Sequence, residues 1–199
     1  MGAFRRLFAA VAVGAGLLAG AASADESAFI QTLANRAIEV LADRSVTLEQ
    51  REERFRSLLQ DGFAMRKIGR FVVGRYWKDM TPDQQAEYQK LFAAWVLNTY
   101  SARLGGYSGQ KFVIDGTAEA GQQDRYVRTR IVQPDAPPLR CDWRVRKFDG
   151  DYRVIDVVVE GISMLSTQRS EFAAVLRQHG ADGLIEALQT RLTRYPATS

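Results

Sequence analysis

Cysteine and histidine are almost missing from this sequence of 199 residues, in which Cys141 is the only cysteine and His179 the only histidine. A disulfide within the chain needs two cysteines, so the fold must be held together by packing. A zinc site needs several cysteine or histidine ligands, and one of each cannot build one of ordinary composition. The composition therefore predicts a domain with neither a disulfide nor a metal.

Motifs of catalysis and nucleotide binding are also missing. No Gly-x-Ser-x-Gly nucleophile motif and no phosphate-binding loop occurs, which argues against an enzyme and against a bound cofactor. His179 precedes Gly180 at a predicted helix end, a position typical of a capping or surface residue. Asp156 is a lone carboxylate in an apolar strand, and two interpretations remain open: a base of raised pKa, or a hydrogen-bonded structural residue.

The first 24 residues have the pattern of a cleaved export signal. Arg5 and Arg6 form a positive start, residues 7–20 a short apolar run, and residues 22–24 an Ala-Ser-Ala cleavage pattern. We expect export by general secretion rather than by the twin-arginine route, and a mature single domain over residues 25–199. Loss of both arginines lowers the formal net charge from +4 to +2 (4 − 2), too little to indicate a nucleic-acid partner.

Apolar residues at helical spacing dominate the first half of the mature chain and its end. A capping threonine followed three residues later by glutamine marks two helix starts, at Thr47 and at Thr81. Residues 61–77 combine aromatic and basic side chains, and Gly74 is expected to end the helix within them. The predicted helices cover residues 27–42, 47–61, part of 61–77, 81–104, 167–178 and the segment from Asp182.

From Lys111 the spacing of apolar residues changes to two, which is typical of strands. Asp149-Gly150 has the composition of a tight hairpin turn. The order of helices, then strands, then helices predicts an α+β fold with an antiparallel four-stranded meander covered on one face by helices. The predicted strands are 111–116, 124–132, 139–147 and 152–160.

Several blocks of the sequence resemble the MlaC family, also called the toluene-tolerance auxiliary family. The blocks are residues 71–77 (Phe-Val-Val-Gly-Arg-Tyr-Trp), 80–85, 156–163 (Asp-Val-Val-Val-Glu-Gly-Ile-Ser) and 169–172. Members are periplasmic lipid-binding components of an ABC transport system, and residues 41–60 are similar to the hopanoid-associated HpnM branch. The resemblance implies a periplasmic protein in which sheet and helices enclose a deep apolar cavity for the acyl chains, with the head group at the mouth.

We chose the residues expected to line this cavity by the faces and positions they occupy in the predicted elements. Lys67 and Arg70 are expected near a phosphate head group at the rim. The expected lining residues are Phe63, Ile68, Phe71, Val72 and Trp95 from the helices, Val127, Ile131, Trp143, Val145, Val157 and Val159 from the sheet, and Ile162, Met164 and Leu165 beside the closing helix.

The function implied is a carrier that moves a phospholipid between an outer-membrane lipoprotein–porin complex and an inner-membrane ABC transporter bearing an MCE-type ring. One alternative is a carrier of hopanoids or other polycyclic lipids. A second is a pocket enzyme of isomerase type that uses Asp156 or Tyr100. A third is a structural adaptor that docks acidic partners through an arginine-rich sheet face, with arginines at 128, 130, 144, 146 and 153.

Overall fold

The computed structural model describes residues 18–101, 109–134 and 136–194, with side chains over 25–100, 109–134 and 136–193. Its helices are α1 (Leu18–Ala42), α2 (Leu48–Gly62), α3 (Met65–Val73), a 3-10 helix (Gly74–Asp79), α4 (Pro82–Ser101) and α5 (Met164–Arg194). Its strands are β1 (Lys111–Glu119), β2 (Asp124–Val132), β3 (Leu139–Phe148), β4 (Asp151–Val159) and β5 (Ile162–Ser163).

Two helices begin at the threonines that the sequence predicts as caps. The Thr47 hydroxyl accepts a hydrogen bond from the Gln50 amide at 3.2 Å, and the Gln50 side chain accepts one from the Thr47 amide at 3.1 Å. Thr81 and Gln84 make the same pair of bonds at 3.2 and 2.9 Å. Both capping predictions are confirmed, because each box satisfies amides that the first helical turn leaves unpaired.

The limits of two helices differ from the prediction. Helix α1 begins at Leu18 and runs through the predicted cleavage site, so cleavage there stays a prediction. The predicted end of α4 at Leu104 lies outside the described residues. The break predicted at Gly180 is confirmed: within α5 the backbone leaves the helical conformation there (φ 67°, ψ −167°), which glycine adopts without a steric penalty, so α5 comprises two helical segments. The first of them begins at Met164, three residues before the predicted start.

The sheet contains five antiparallel strands in the order β1-β2-β3-β4-β5 within the described residues, so the predicted count of four is one too few. The additional strand, β5, has only two residues, and a pattern of period two cannot be recognised over that length. It pairs with Val158 and Val159 after a turn in which Glu160 (φ 48°) and Gly161 (φ 81°) have positive φ. The predicted hairpin turn at Asp149 and Gly150 is confirmed, with φ values of 50° and 98°.

Apolar side chains form two separate clusters. The sheet cluster lies between the sheet and the first two helices, and its fully buried members are Ile30, Leu33, Leu58, Val127, Val145 and Val154. The helix cluster joins α3, α4 and α5, and its fully buried members are Val72, Val73, Met80, Tyr88, Leu91, Phe92, Phe172, Leu176, Leu184 and Leu188. Helices that belong to each cluster contact β4: α2 of the sheet cluster, and α3 and α5 of the helix cluster.

Candidate functional site

Three aromatic rings meet on the side of the sheet that faces the sheet cluster. The Trp143 ring lies 6.4 Å from Phe63 and 6.2 Å from Phe112, measured between centroids, and both pairs meet edge to face. All three side chains are only half buried, unlike the valines of the same cluster. Phe63 reaches this position because the amide that follows it, on Ala64, donates a hydrogen bond to the Val154 carbonyl on the edge of β4.

The polar group of Trp143 has a partner within the sheet. Its indole N–H donates to the Thr129 hydroxyl at 3.1 Å, and that hydroxyl donates to the Cys141 carbonyl. Burial, with a smaller contribution from Asp142, raises the pKa of the Cys141 thiol to about 12, so the thiol is neutral. These neighbours add no charge to the aromatic surface, which suits an apolar ligand.

A second group of aromatic rings occupies the helix cluster. The Trp95 ring lies 5.6 Å from Phe172 and 6.1 Å from Phe92. Tyr88 is fully buried, its hydroxyl donates to the Gly69 carbonyl at 2.9 Å, and burial raises its pKa. Tyr88 therefore joins α4 to α3 as a neutral hydrogen-bond donor and is unsuited to acid–base chemistry at neutral pH.

The structure divides the predicted lining residues between these surroundings. Phe63, Val127, Trp143, Val145 and Val157 lie in the sheet cluster. Ile68, Val72, Trp95 and Leu165 lie in the helix cluster. Ile131, Val159 and Met164 are half buried outside both clusters, whereas Phe71 and Ile162 are 44% and 60% exposed.

Three predicted lining residues lie in closely packed surroundings. Val72 and Val145 are 1% exposed and Val127 is 0% exposed, so almost none of their surface is open to a ligand. A ligand would contact them fully only after neighbouring side chains moved. The sequence prediction did not include Phe112, although it is the apolar residue at the start of β1, opposite Ile131.

Both predicted rim cations are exposed, and both lie over aromatic rings. The Lys67 ammonium is 5.9 Å from the centroid of Phe148, and the Arg70 guanidinium is 5.7 Å from the centroid of Trp77. Neither forms an ion pair with a carboxylate among the side chains that the structure describes. Their positive charge therefore remains available to an anionic group.

Asp156 is buried and caps a helix. One carboxylate oxygen accepts the Leu165 amide at 3.0 Å and the other accepts the Ser163 hydroxyl at 2.6 Å. The Ser163 hydroxyl in turn accepts the Ser166 amide at 3.0 Å. The block of residues 156–163 therefore builds the N-terminus of α5, where a negative charge is favoured by the helix dipole. Of the two interpretations of Asp156, the geometry supports the hydrogen-bonded structural one.

The other characteristic block, residues 71–77, packs against α5. The Arg169 guanidinium lies 4.7 Å from the centroid of Phe71. A Cβ atom on Gly74 would lie 3.1 Å from the Arg169 side chain, and the φ of 55° at Gly74 also disfavours any other residue. The sequence predicted the helix end at Gly74 but had no signal for this contact.

Two of the clefts among the described residues have volumes of about 320 and 240 Å³. The larger contains Glu26, Asp124, Arg125 and Tyr152, and the smaller contains Arg36, Asp61 and Arg153. Charged side chains in both make them unsuitable for acyl chains. The predicted deep apolar cavity is neither of these clefts and stays a prediction.

Metal sites and membrane spans are both absent from the ranges that the structure covers. No group of three or more histidine, cysteine, aspartate or glutamate side chains there is placed to hold a metal ion. No helix in those ranges combines the length and the apolar character needed to cross a bilayer.

Similarity to known proteins supports the resemblance noted in the sequence. The chain is 31% identical over 125 residues to the intermembrane phospholipid transport system binding protein MlaC of Haemophilus influenzae, which covers 61% of this chain and 58% of that protein. It is 21% identical over 108 residues to the toluene tolerance protein ttg2D of Pseudomonas putida, covering 54% of this chain and 50% of that protein. The aligned part thus spans only about half the length of each relative.

A solved structure and a family model extend the match. A phospholipid-binding protein from Ralstonia solanacearum, solved in complex with a phospholipid, superposes with a TM-score of 0.75 over 85% of this chain and 97% of that one, at 23% sequence identity. This likeness shows that the two share a fold. The model of the family described as MlaC protein matches residues 31–190, well over half of the sequence. The chain therefore belongs to the MlaC family, the toluene-tolerance family that the sequence blocks indicate.

Proposed function

We propose that this protein is a non-enzymatic periplasmic carrier of phospholipid monomers. The observation that carries the proposal is its membership of the MlaC family over residues 31–190. The Haemophilus relative is named a phospholipid transport binding protein, and the Ralstonia protein of the same fold holds a phospholipid. The export signal predicted from the sequence supports the periplasmic location.

The arrangement of the two apolar clusters supports a site for acyl chains between them. Each cluster contains half-buried rings: Trp143, Phe63 and Phe112 in the sheet cluster, and Trp95 in the helix cluster. Aromatic and aliphatic side chains bind acyl chains without directional contacts, and the Trp143 indole N–H already has a partner. Such a surface does not select for one acyl-chain length. A carrier of this kind accepts different acyl chains.

The energetics of transfer favour such an undemanding surface. A diacyl lipid has about 30 methylenes, each worth about 0.8 kcal/mol on leaving water, so the gross gain is on the order of 20 kcal/mol. A bilayer already provides a gain of this size. The carrier must match the membrane without exceeding it, because a much tighter complex would never release its lipid.

The predicted lining residues take different places in this proposal. The half-buried ones contact the acyl chains, whereas Val72, Val127 and Val145 support the wall from behind. Phe71 and Ile162, which are exposed, lie nearer the mouth. Lys67 and Arg70 remain the proposed rim for a phosphate group, and their lack of carboxylate partners among the described side chains supports that role.

The proposed partners are those of the transport system to which the family belongs. The carrier exchanges lipid with an inner-membrane ABC transporter that bears an MCE-type ring and with an outer-membrane lipoprotein–porin complex. The chain has no phosphate-binding loop, so the energy for directional transfer comes from the ATPase of the transporter.

Native mass spectrometry of the mature protein, purified without detergent, tests the proposal. We expect a mass shift equal to one phospholipid, identified after solvent extraction. A hopanoid in the extract would identify the alternative cargo. A bare protein, even after incubation with phospholipid vesicles, would contradict the carrier function.

Substitutions at neighbouring positions of β4 test the wall. Val157 packs in the sheet cluster, and Val158, the next residue, points to the opposite side of the sheet. We expect Val157→Glu to lose the bound lipid, because an unpaired charge in an apolar site is costly, and Val158→Glu to retain it. Circular dichroism of both variants is the control for correct folding. Equal lipid content in the two folded variants would show that this face of β4 does not line the site.

A further inference from the structure

The larger charged cleft contains a carboxylate that its neighbours satisfy only in part. Glu26 is 3% exposed and lines this cleft together with Arg125 and Tyr152. Its Oε2 atom has no hydrogen-bond partner among the residues that the structure describes. A buried carboxylate loses its hydration, so its oxygens ordinarily accept hydrogen bonds within the protein. The free Oε2 atom therefore indicates a donor that the described side chains do not supply.

The two cations of the cleft leave this oxygen without a donor. The Arg125 Nε atom is 3.7 Å from Glu26 Oε1, too far for a hydrogen bond, and another nitrogen of the same guanidinium donates to Glu119 at 3.3 Å. Lys147 lies over the Tyr152 ring, 5.1 Å from its centroid, and forms no ion pair with Glu26 among the described side chains. A further cation would therefore complete the neighbourhood of Glu26.

The N-terminus of the mature chain would lie beside this carboxylate. Cleavage after Ala24, as the sequence predicts, would make Asp25 the first residue and place its α-ammonium one residue from Glu26. Side chains on a helix point towards its N-terminus, which is the direction of Asp25. Burial, and after it the charges of Glu26 and Asp25, raises the pKa of Tyr152, so Asp25 lies close to the cleft.

We propose that removal of the export signal supplies the missing donor, because the new α-ammonium of Asp25 binds the buried carboxylate of Glu26. An ammonium offers three N–H donors and a charge opposite to that of the carboxylate. In the uncleaved chain α1 (Leu18–Ala42) continues through Asp25, whose nitrogen is then a neutral backbone amide. The fold is thus completed only after processing. The proposal rests on the predicted cleavage site and is independent of the cargo.

Thermal unfolding of delipidated protein that begins at Asp25 tests the proposal. Transamination with pyridoxal phosphate converts the α-amine to a ketone and removes its charge. We expect the melting temperature of the wild type to fall by about 2–4 °C after this treatment. A chain that retains residues 22–24 should melt lower than the mature chain by a similar amount, because its ammonium lies three residues, about 4.5 Å, further along the helix.

Two variants identify the partner of the α-ammonium. In Glu26→Gln the side chain has no charge, so blocking of the α-amine should leave the melting temperature unchanged or raise it, since a positive charge at a helix N-terminus is otherwise unfavourable. Asp25→Asn is the matched control, because Asp25 is the neighbouring acidic residue and is exposed. Blocking should lower the melting temperature of this control as it does that of the wild type.

Several results would overturn the proposal. If neither the blocked nor the extended wild-type protein melts lower, water satisfies Glu26 instead of the ammonium. An equal fall in Glu26→Gln, or no fall in Asp25→Asn, would assign the effect to another group. The intact mass of protein exported with its own signal gives the true N-terminus, and any start other than Asp25 would place the ammonium elsewhere. Absence of lipid from that exported protein would contradict only the carrier function.

Discussion

Gly74 joins a backbone requirement to a tertiary contact. Its φ of 55° and ψ of −124° end α3, and the absence of a side chain leaves room for Arg169 on α5. The turn and the position of Arg169 over Phe71 thus depend on one residue. A glycine in a sequence block can therefore be required for packing even where no ligand is near.

Replacement of Gly74 by alanine should lower the free energy of unfolding by about 1–3 kcal/mol, since the new Cβ meets both a strained φ and the Arg169 guanidinium. Gly121→Ala is the control, because Gly121 also has a positive φ (88°) but a Cβ atom added there would have nothing within 4 Å. Urea unfolding measures both. A loss no larger than that of the control would mean that the Arg169 contact contributes nothing.

Among single residues, Asp124 is expected to make the stability of the fold depend on pH. It is 2% exposed and accepts hydrogen bonds from Arg144 at 2.7 Å and Arg146 at 3.1 Å. Burial by itself raises the pKa of Asp124, but the hydrogen bonds from the two arginines outweigh burial and lower it below its ordinary value. The ionised carboxylate therefore stabilises the folded state above the unfolded pKa of about 3.9, and this stabilisation is lost as the pH falls through the folded value.

Asp124→Asn should be less stable than the wild type at pH 7, and the difference should shrink as the pH falls below about 4, because the unfolded wild-type chain then takes up a proton while the folded carboxylate, whose pKa is lower, stays ionised until the pH falls further. Thermal unfolding followed between pH 7 and pH 3 measures this trend. A difference that stays constant over the whole range would show that ionisation of Asp124 does not contribute.

At the scale of elements, the N-terminus of α5 depends on the preceding strand. Asp156 of β4 and Ser163 of β5 together accept the amides of Leu165 and Ser166, which the helix itself leaves unpaired. The short strand β5 brings these groups together after the turn at Glu160 and Gly161. Sheet and closing helix are thus coupled through one buried carboxylate.

Asp156→Ala should lower the free energy of unfolding by about 1–3 kcal/mol, because it leaves a half-buried amide and a half-buried hydroxyl without their acceptor. The lipid carried per folded molecule should not change. Asp142→Ala, on the neighbouring strand, is the control, since no hydrogen bond of the Asp142 side chain is found among the described residues. An Asp156→Ala variant as stable as the wild type would contradict the capping role. If the wild-type protein were found to catalyse a reaction that the Asp156→Ala variant does not, the enzyme alternative would be supported instead.

For the whole molecule, the two apolar clusters are the main feature. The sheet cluster and the helix cluster have separate buried centres, and helices that belong to each of them, α2 to the first and α3 and α5 to the second, contact β4. Half-buried rings belong to both clusters. A fold with two centres can open along their boundary at a lower cost than one with a single continuous core, which suits the uptake and release of a large ligand.

Removal of the lipid should lower the melting temperature, because a ligand that binds only the folded state stabilises it by RT ln(1 + [L]/Kd), about 2.7 kcal/mol at a hundredfold excess over Kd. Calorimetry of lipid-loaded and delipidated protein measures the difference. Val157→Glu should melt at one temperature with or without added lipid. Identical melting of loaded and delipidated wild-type protein would contradict a buried acyl-chain site.

Local patterns predicted most of the elements correctly. The capping boxes at Thr47 and Thr81, the helix end at Gly74 and the turn at Asp149 and Gly150 each depend on residues within four positions of one another, and all are confirmed. The α+β class and the antiparallel order follow from the order of these elements. The family follows from four short blocks of sequence and is confirmed by the family model.

Only the tertiary structure decided how the elements meet. The apolar faces of the predicted elements assigned Val127, Val145 and Phe71 alike to the cavity lining. In the structure Val127 and Val145 are fully buried, whereas Phe71 is exposed with Arg169 stacked on its ring. Periodicity reports which side of an element is apolar, whereas burial depends on which other element covers that side. The stacking of Arg169 on Phe71 and the capping of α5 by Asp156 join residues far apart in sequence, so no local pattern contains them.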